Sequence, residues 1–133
     1  MVRQLKQGEI LWYAPDHDYG PRNSAFIPFF VVSPAVTTVG THFLWQQAAK
    51  PAIVLMTPLR HPQGGSYAVQ LHPPLTLSLP NNAVAMACQL NQASETEILR
   101  APEQYLWLHR RFKTRPPGEQ SPPSLEHKRC LGG

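Results

Sequence analysis

Acidic side chains are missing from most of the middle of this chain. No aspartate or glutamate occurs from position 19 to position 94, where the only basic residues are Arg22, Lys50 and Arg60. Seven of the twelve lysines and arginines lie from Arg100 onward, in a chain whose formal net charge is +4. The positive potential is therefore concentrated toward the C-terminal part, which suits phosphate, membrane headgroups or an acidic protein as a partner.

Cysteines and long apolar runs are also scarce. The two cysteines, Cys88 and Cys130, have no partners at metal-ligand spacing, so a disulfide framework is excluded and a reducing compartment is favoured. Residues 1–8 are polar and lack the apolar core of a secretory signal. No run approaches the ~18 apolar residues of a membrane span. We expect a chain that is soluble or at most peripheral on a membrane.

Most catalytic motifs are absent. The sequence has no Gly-x-Ser-x-Gly elbow, no Gly-x-Gly-x-x-Gly, no phosphate-binding Walker pattern and no His-Glu-x-x-His. Among the six histidines only His17, between Asp16 and Asp18, has the neighbours that general-base chemistry needs. Adjacent side chains on an extended chain point to opposite sides, so a structural or substrate-contact role is favoured for His17.

The length of 133 residues suits one domain, and the apolar content of 42% is ordinary for a globular protein. The fifteen prolines predict many short elements and connections. Pro28 indicates an edge strand or a bulge, and Gly8 a helix stop. The hydroxyls before the helix at 42–49 favour capping over anion binding. The patterns predict strands over 10–13, 26–32, 52–57 and 66–71, and helices over 2–6, 42–49, from Asn81 or Asn82 to about Arg100, and 102–111.

The loop over 14–24 concentrates chemically useful side chains. It follows an apolar run and carries two carboxylates, a histidine, a tyrosine, a glycine and an arginine. In open α/β sheets, ligands bind at loops that follow strand ends. Two interpretations are open. Arg22 holds a polar or anionic substrate, or Asp16 and Asp18 cap backbone amides while Arg22 pairs with one of them.

Three stretches resemble the C-terminal half of the lipid A late acyltransferases, the lauroyl and myristoyl transferases of Gram-negative bacteria. They are LWYAPDHDYGPR over 11–22, Thr37-Thr38 with Gly40-Thr41, and APEQYLWLHRRFKTRP over 101–116. The resemblance implies an α/β class and a partial glycerolipid-acyltransferase-like fold, with a central, mostly parallel sheet flanked by helices. Residues 1–118 are expected to form the C-terminal half of the acyltransferase domain, and 119–133 a disordered tail.

The resemblance also implies a reaction, in which a fatty acyl chain moves from acyl carrier protein to an acyl-chain hydroxyl of the Kdo-bearing lipid A precursor. The implied place is the cytoplasmic face of the inner membrane. Expected partners are acyl-acyl carrier protein, the lipid A precursor and the membrane surface, without nucleic acid, metal or cofactor.

Family members use a histidine with an acid five positions later as the general base, and none of the six histidines here has one. We therefore expect that this chain contains no catalytic residue. We also expect that it is a fragment that begins at an internal methionine and that it is inactive alone. The alternative is a non-catalytic remnant or a lipid- or membrane-binding module.

The substrate side of the family pattern is present. Gly20, Arg22 and Ser24 resemble the Gly-x-Arg-x-Ser block that is associated with the acceptor's phosphate in glycerolipid acyltransferases. The arginine fork suits an anionic oxygen, and glycine permits close backbone approach. Together with Asp18, these residues are the expected substrate-binding set.

A basic cluster near the C-terminal end is a second candidate contact for anionic groups. Its members are Arg110, Arg111, Lys113 and Arg115. A solvated helix end that complements the helix dipole is an equally open interpretation. A nucleic-acid surface, formed with the neighbouring aromatic residues, is the weaker alternative.

Overall fold

Two β-hairpins and one long helix dominate this protein, whose computed structural model describes residues 1–15, 17–107 and 112–119. Helices and strands are mixed along the chain, which confirms the α/β class. The elements are α1 (Val2–Lys6), β1 (Ser24–Phe29), β2 (Val32–Thr38), α2 (Gly40–Gln47), β3 (Val54–Arg60), β4 (Tyr67–Pro74), α3 (Ala83–Ile98) and a 3-10 turn (Pro102–Gln104).

The described strands pair only in antiparallel fashion, β1 with β2 and β3 with β4. The connections span only 30–31 and 61–66, whereas parallel neighbours need a crossover of a dozen or more residues. The chain reverses through left-handed residues, Phe30 at φ 50° in the first hairpin and Gly64 and Gly65 at φ 75° and 78° in the second. The expected mostly parallel sheet is therefore not found among the described residues.

The core lies where α3 packs against the first hairpin, β1–β2. Phe29 and Met86 are its largest fully buried side chains. The predicted start of α3 is confirmed, because the Asn82 side chain accepts the N–H of Ala85 at 3.0 Å as an N-cap. The buried apolar residues are Ile27, Phe29, Ala35, Val36, Trp45, Ala48, Met86 and Ala87.

Asn91 fastens α3 to the first hairpin. Its side chain is buried, and Nδ2 donates to the Pro28 carbonyl at 3.0 Å and to Thr37 Oγ1 at 3.1 Å. The strand register shifts between Ile27 and Phe29, so the bulge predicted at Pro28 is confirmed. One amide group therefore bonds to both strands, to β1 at the irregular step and to β2 where Thr37 pairs with Ala25.

Replacing Asn91 with leucine should lower the free energy of unfolding by about 2 kcal/mol, because two acceptors lose a donor that the apolar side chain cannot replace. Urea denaturation measures the loss. Asn81→Leu is the matched control: Asn81 is exposed, and its change should stay within about 0.5 kcal/mol. Equal losses in the two variants would contradict the role given to Asn91.

Polar contacts join the second hairpin, β3–β4, to the end of α3. His72 Nε2 lies 3.0 Å from Thr57 Oγ1 and 3.4 Å from Glu97 Oε2. The same Glu97 oxygen accepts from Arg100 Nη1 at 2.8 Å, and Arg100 also donates to Gln70 Oε1 at 3.1 Å. Both predicted strands are found, but β3 begins at Val54 rather than at 52 and continues past the predicted end at Thr57 to Arg60, because Pro58 pairs with Val69 of β4. Its exposed apolar residues are Val54, Met56, Tyr67, Val69 and Leu71.

Two strand predictions are wrong. Residues 10–13 form no strand, because no described strand pairs with them. The side chains of Ile10 and Trp12 are 100% and 70% exposed. The run 26–32 is interrupted where the Phe30 N–H donates to Glu95 Oε1 at 2.7 Å, and the chain turns back there.

The helix predicted over 102–111 is a single 3-10 turn, and residues 108–111 lie outside the described part of the chain. Gln104 pairs with the backbone of Arg60, accepting its N–H at 2.6 Å and donating to its carbonyl at 3.2 Å. Trp107 Nε1 donates to the Pro102 carbonyl at 2.7 Å, an acceptor that an α-helix would use for a backbone N–H. These contacts replace the helix. The predicted tail also lies outside the described residues beyond Glu119.

Candidate anion-binding site

Asp18 connects the loop of 14–24 to the end of the described chain. Its Oδ1 accepts the N–H of Gly20 at 2.8 Å and the hydroxyl of Thr114 at 2.9 Å. Its Oδ2 accepts the N–H of Thr114 at 2.7 Å. Gly20 has φ 80°, which glycine adopts without strain. The carboxylate therefore holds two segments that are 96 residues apart in sequence.

Arg22 lies in the turn that leads into β1, and its side chain is exposed. The following residue, Asn23, has φ 56°, and its carbonyl accepts the Val39 N–H at 2.9 Å. Within the described residues the Arg22 guanidinium has no hydrogen bond or ion pair. The turn is thus fixed by its backbone, while the charged group faces solvent. Ser24 opens β1 opposite Thr38.

The geometry combines the two interpretations of the loop. Asp18 caps a backbone amide, as in the structural interpretation, whereas Arg22 pairs with no acid among the described residues. Asp16 lies outside those residues. His17 is exposed and its ring centroid lies 6.0 Å from that of Tyr19. A guanidinium on a fixed turn, without a partner among the described residues, can bind an anionic oxygen through paired N–H donors.

The hydroxyl-rich start of α2 serves its own backbone. Thr38 Oγ1 accepts the Gly40 N–H at 3.1 Å, but the N-cap position is Val39, which makes no side-chain cap bond, so the N-capping hydroxyl favoured from the sequence is not found. An added Cβ on Gly40 would lie 3.1 Å from Thr38 Oγ1 and 3.4 Å from the Tyr13 hydroxyl. His42 is buried, and within the described chain neither of its ring nitrogens has a hydrogen-bond partner. This start therefore has little room for a ligand.

The described part of the basic cluster contains a structural arginine and an exposed lysine. Arg115 Nη1 donates to the Pro34 carbonyl at 2.7 Å, and Nη2 lies 2.6 Å from Glu119 Oε2. Lys113 is exposed. Arg110 and Arg111 lie outside the described residues. Arg115 thus holds its segment against the start of β2, a role that residue type alone does not reveal.

Thr114 is the residue that sequence reasoning missed at this site. Both Asp18 and Thr114 lie in stretches that carry the family resemblance, but no local pattern indicates that they meet. In the described part of the chain no three acids, histidines or cysteines are placed to hold a metal ion. None of the described helices is both long enough and apolar enough to cross a bilayer.

Together, the α/β unit and its exposed arginine turn define a protein whose candidate site suits an anionic substrate group. The sequence matches the family described as bacterial lipid A biosynthesis acyltransferase over residues 1–114, and the chain belongs to that family. The predicted membership is confirmed.

Several curated relatives are similar over most of the chain. A lipid A biosynthesis lauroyltransferase of Escherichia coli K12 is 47% identical over 121 residues, which are 91% of this chain and 39% of that protein. A lipid A biosynthesis acyltransferase of Haemophilus influenzae is 40% identical over 94% of this chain and 40% of its own length. An E. coli K12 lipid A biosynthesis palmitoleoyltransferase is 44% identical over 91% and 39%. The chain thus spans about two fifths of these relatives.

Proposed function

We propose that this chain supplies the acceptor-binding part of a lipid A acyltransferase. The reaction transfers a fatty acyl chain from acyl carrier protein to an acyl-chain hydroxyl of the Kdo-bearing lipid A precursor, at the cytoplasmic face of the inner membrane. Family membership and the names of the relatives support the reaction class. Residues 1–118 are proposed to be the C-terminal half of a glycerolipid-acyltransferase-like domain.

The exposed guanidinium of Arg22, which pairs with no acid among the described residues, is the observation that carries this proposal. The precursor bears phosphate and Kdo carboxylate groups, which an arginine binds through two parallel N–H donors. The turn around Arg22 is held by the Asn23 carbonyl and by the Asp18 contacts to Gly20 and Thr114. Binding of a ligand therefore costs less conformational entropy in this loop. Gly20 and Ser24 flank the guanidinium in sequence and complete the proposed acceptor contact.

The basic cluster apart from Arg115 is proposed as a secondary contact. Lys113, with Arg110 and Arg111, adds positive charge for lipid headgroups or acyl carrier protein. Arg115 is excluded from direct contact in this proposal, because the Pro34 carbonyl and the Glu119 carboxylate occupy its guanidinium.

Arg22→Ala should weaken binding of the Kdo-bearing lipid A precursor by about tenfold to a hundredfold, because charged hydrogen bonds contribute about 1.5–3 kcal/mol. Titration calorimetry in mixed micelles measures this affinity. Arg22→Lys keeps the charge but loses the fork, so its affinity should be intermediate. Arg3→Ala, on the exposed face of α1, is the matched control. Unchanged affinity in Arg22→Ala would overturn the assignment.

A non-catalytic binding module is the second candidate function. It is favoured by the lack of a histidine with an acid five positions later, since a missing general base removes about 10² to 10⁴ in rate. Binding of the precursor without consumption of acyl-acyl carrier protein supports this candidate. Acyl transfer by the chain alone would exclude it.

A further inference from the structure

A cleft of about 420 Å³ lies between the end of α2 and the segment that precedes α3. The cleft is open to solvent, so a ligand in it would be covered on one side only. Trp45, Ile53, Leu75, Leu77 and Pro80 give it apolar walls. Lys50 is the single charged residue in the lining, and none of these residues belongs to the proposed acceptor contact.

Hydrogen bonds hold the walls of the cleft in place. The Leu75 N–H donates to the Ile53 carbonyl at 2.8 Å and joins its two sides. Gln89 of α3 accepts the Ser78 N–H at 3.2 Å and donates to the Thr76 carbonyl at 2.5 Å. The cleft is therefore formed without a ligand, which lowers the ordering cost of binding.

An unusual backbone places Lys50 in the lining. Ala49 and Lys50 have φ 63° and 59°, a left-handed conformation that is uncommon for residues with a side chain. The Lys50 N–H donates to the Trp45 carbonyl at 2.9 Å, and Nζ lies 5.5 Å from the Trp45 ring centroid. No carboxylate in the described residues pairs with this ammonium group, and 19–94 contain no acid.

We infer that the cleft binds a single-chain amphiphile with an anionic head group. The hydrocarbon chain replaces water along the apolar walls, and the head group meets the uncompensated charge of Lys50. A neutral amphiphile gains only the burial of its hydrocarbon chain, and a small inorganic anion gains only the attraction to Lys50. The inference is independent of the acceptor contact at Arg22.

Calorimetric titration with dodecyl phosphate, below its critical micelle concentration, tests the inference on the full chain. We expect saturable binding of one molecule per chain, and weaker binding of dodecyl maltoside and of inorganic phosphate. Lys50→Gln should weaken dodecyl phosphate binding about fivefold, as expected for an exposed charge pair of about 1 kcal/mol. It should leave dodecyl maltoside binding unchanged.

Two further variants separate the cleft from general effects. Lys6→Gln, on the exposed face of α1, removes the same charge elsewhere and should not change the affinity. Ala52→Trp places a large side chain at an exposed lining position and should abolish binding while the thermal melt is kept. Arg22→Ala removes the proposed acceptor contact as a second place for a phosphate group and should still bind one molecule of dodecyl phosphate at the cleft, so the two assignments fail separately.

Three results would overturn the inference. One is equal weakening by Lys50→Gln and Lys6→Gln, which reduces the effect to net charge. Another is equal affinity for dodecyl phosphate and inorganic phosphate, since the apolar walls then contribute nothing. The third is a dimer, seen by sedimentation, that Ala52→Trp dissociates, because the cleft is then an interface between copies of the chain.

Discussion

Replacing Phe29 with alanine should lower the free energy of unfolding by about 4 kcal/mol, because a fully buried aromatic side chain is lost and a cavity remains. Phe29 is 0% exposed, and its ring centroid lies 4.8 Å from that of Phe30 and 6.2 Å from that of Phe112. The substitution therefore removes contacts within the first hairpin and to the segment 112–119. Urea denaturation, followed by circular dichroism, measures the loss.

Phe43→Ala is the matched control for Phe29. Phe43 is 48% exposed on α2, so the same truncation there should cost less than about 1 kcal/mol. Phe29→Leu keeps most of the apolar volume and should cost about 1.5 kcal/mol. Similar losses for Phe29→Ala and Phe43→Ala would show that the core does not lie at the first hairpin.

Elements with strong local signals could be predicted from the sequence. The helix α3 is long and apolar at helical spacing, and Asn82 provides a cap that acts within its own first turn. The second hairpin is marked by a Pro-Gln-Gly-Gly turn, where glycines supply the positive φ values. In both cases the residues that decide the structure are close together in the chain.

The first hairpin could not be predicted in this way, because a distant residue specifies its turn. Glu95 lies 65 residues from Phe30 and accepts its backbone N–H. Phe30 itself has φ 50°, which few non-glycine residues adopt, so its own identity does not indicate a turn. The apolar run therefore predicted one continuous strand where tertiary contacts make two.

The candidate site shows the same division. Residue type, loop position and the family resemblance predicted Arg22 and Asp18 as substrate-binding residues, and that role stays a prediction. The contact from Asp18 to Thr114 and that from Arg115 to Pro34 join residues 96 and 81 positions apart, and no spacing rule reports such pairs. The cleft at Lys50 likewise depends on a left-handed backbone pair that the sequence does not mark with glycine.

Asp18→Asn should lower the free energy of unfolding by about 3 kcal/mol, because charge-assisted hydrogen bonds to three donors are weakened or lost. An amide presents one acceptor, and its NH₂ group faces a backbone N–H or hydroxyl that also donates. The segment 112–119 should then be released, so trypsin should cleave after Lys113 at lower enzyme concentrations. Urea denaturation and timed proteolysis measure the two effects.

The controls for Asp18 use the same chemistry elsewhere. Glu103→Gln removes one exposed carboxylate, and its stability should stay within about 0.5 kcal/mol of the unmodified chain. Thr114→Val removes only the hydroxyl contact, and should cost about 1 kcal/mol. Proteolysis of Asp18→Asn at the unmodified rate would contradict the connection between the loop and 112–119.

The pair Asp18→Asn and Thr114→Val also separates two roles of Asp18 in acceptor binding. If the carboxylate acts by holding the loop that carries Arg22, both variants should weaken binding of the lipid A precursor, in the order of their stability losses. If the carboxylate itself contacts the acceptor, Asp18→Asn alone should change the affinity. Because both Asp18 oxygens already accept hydrogen bonds from Gly20 and Thr114, we expect the first result. Asp18 is then a positioning residue, and Arg22 the contact that it supports.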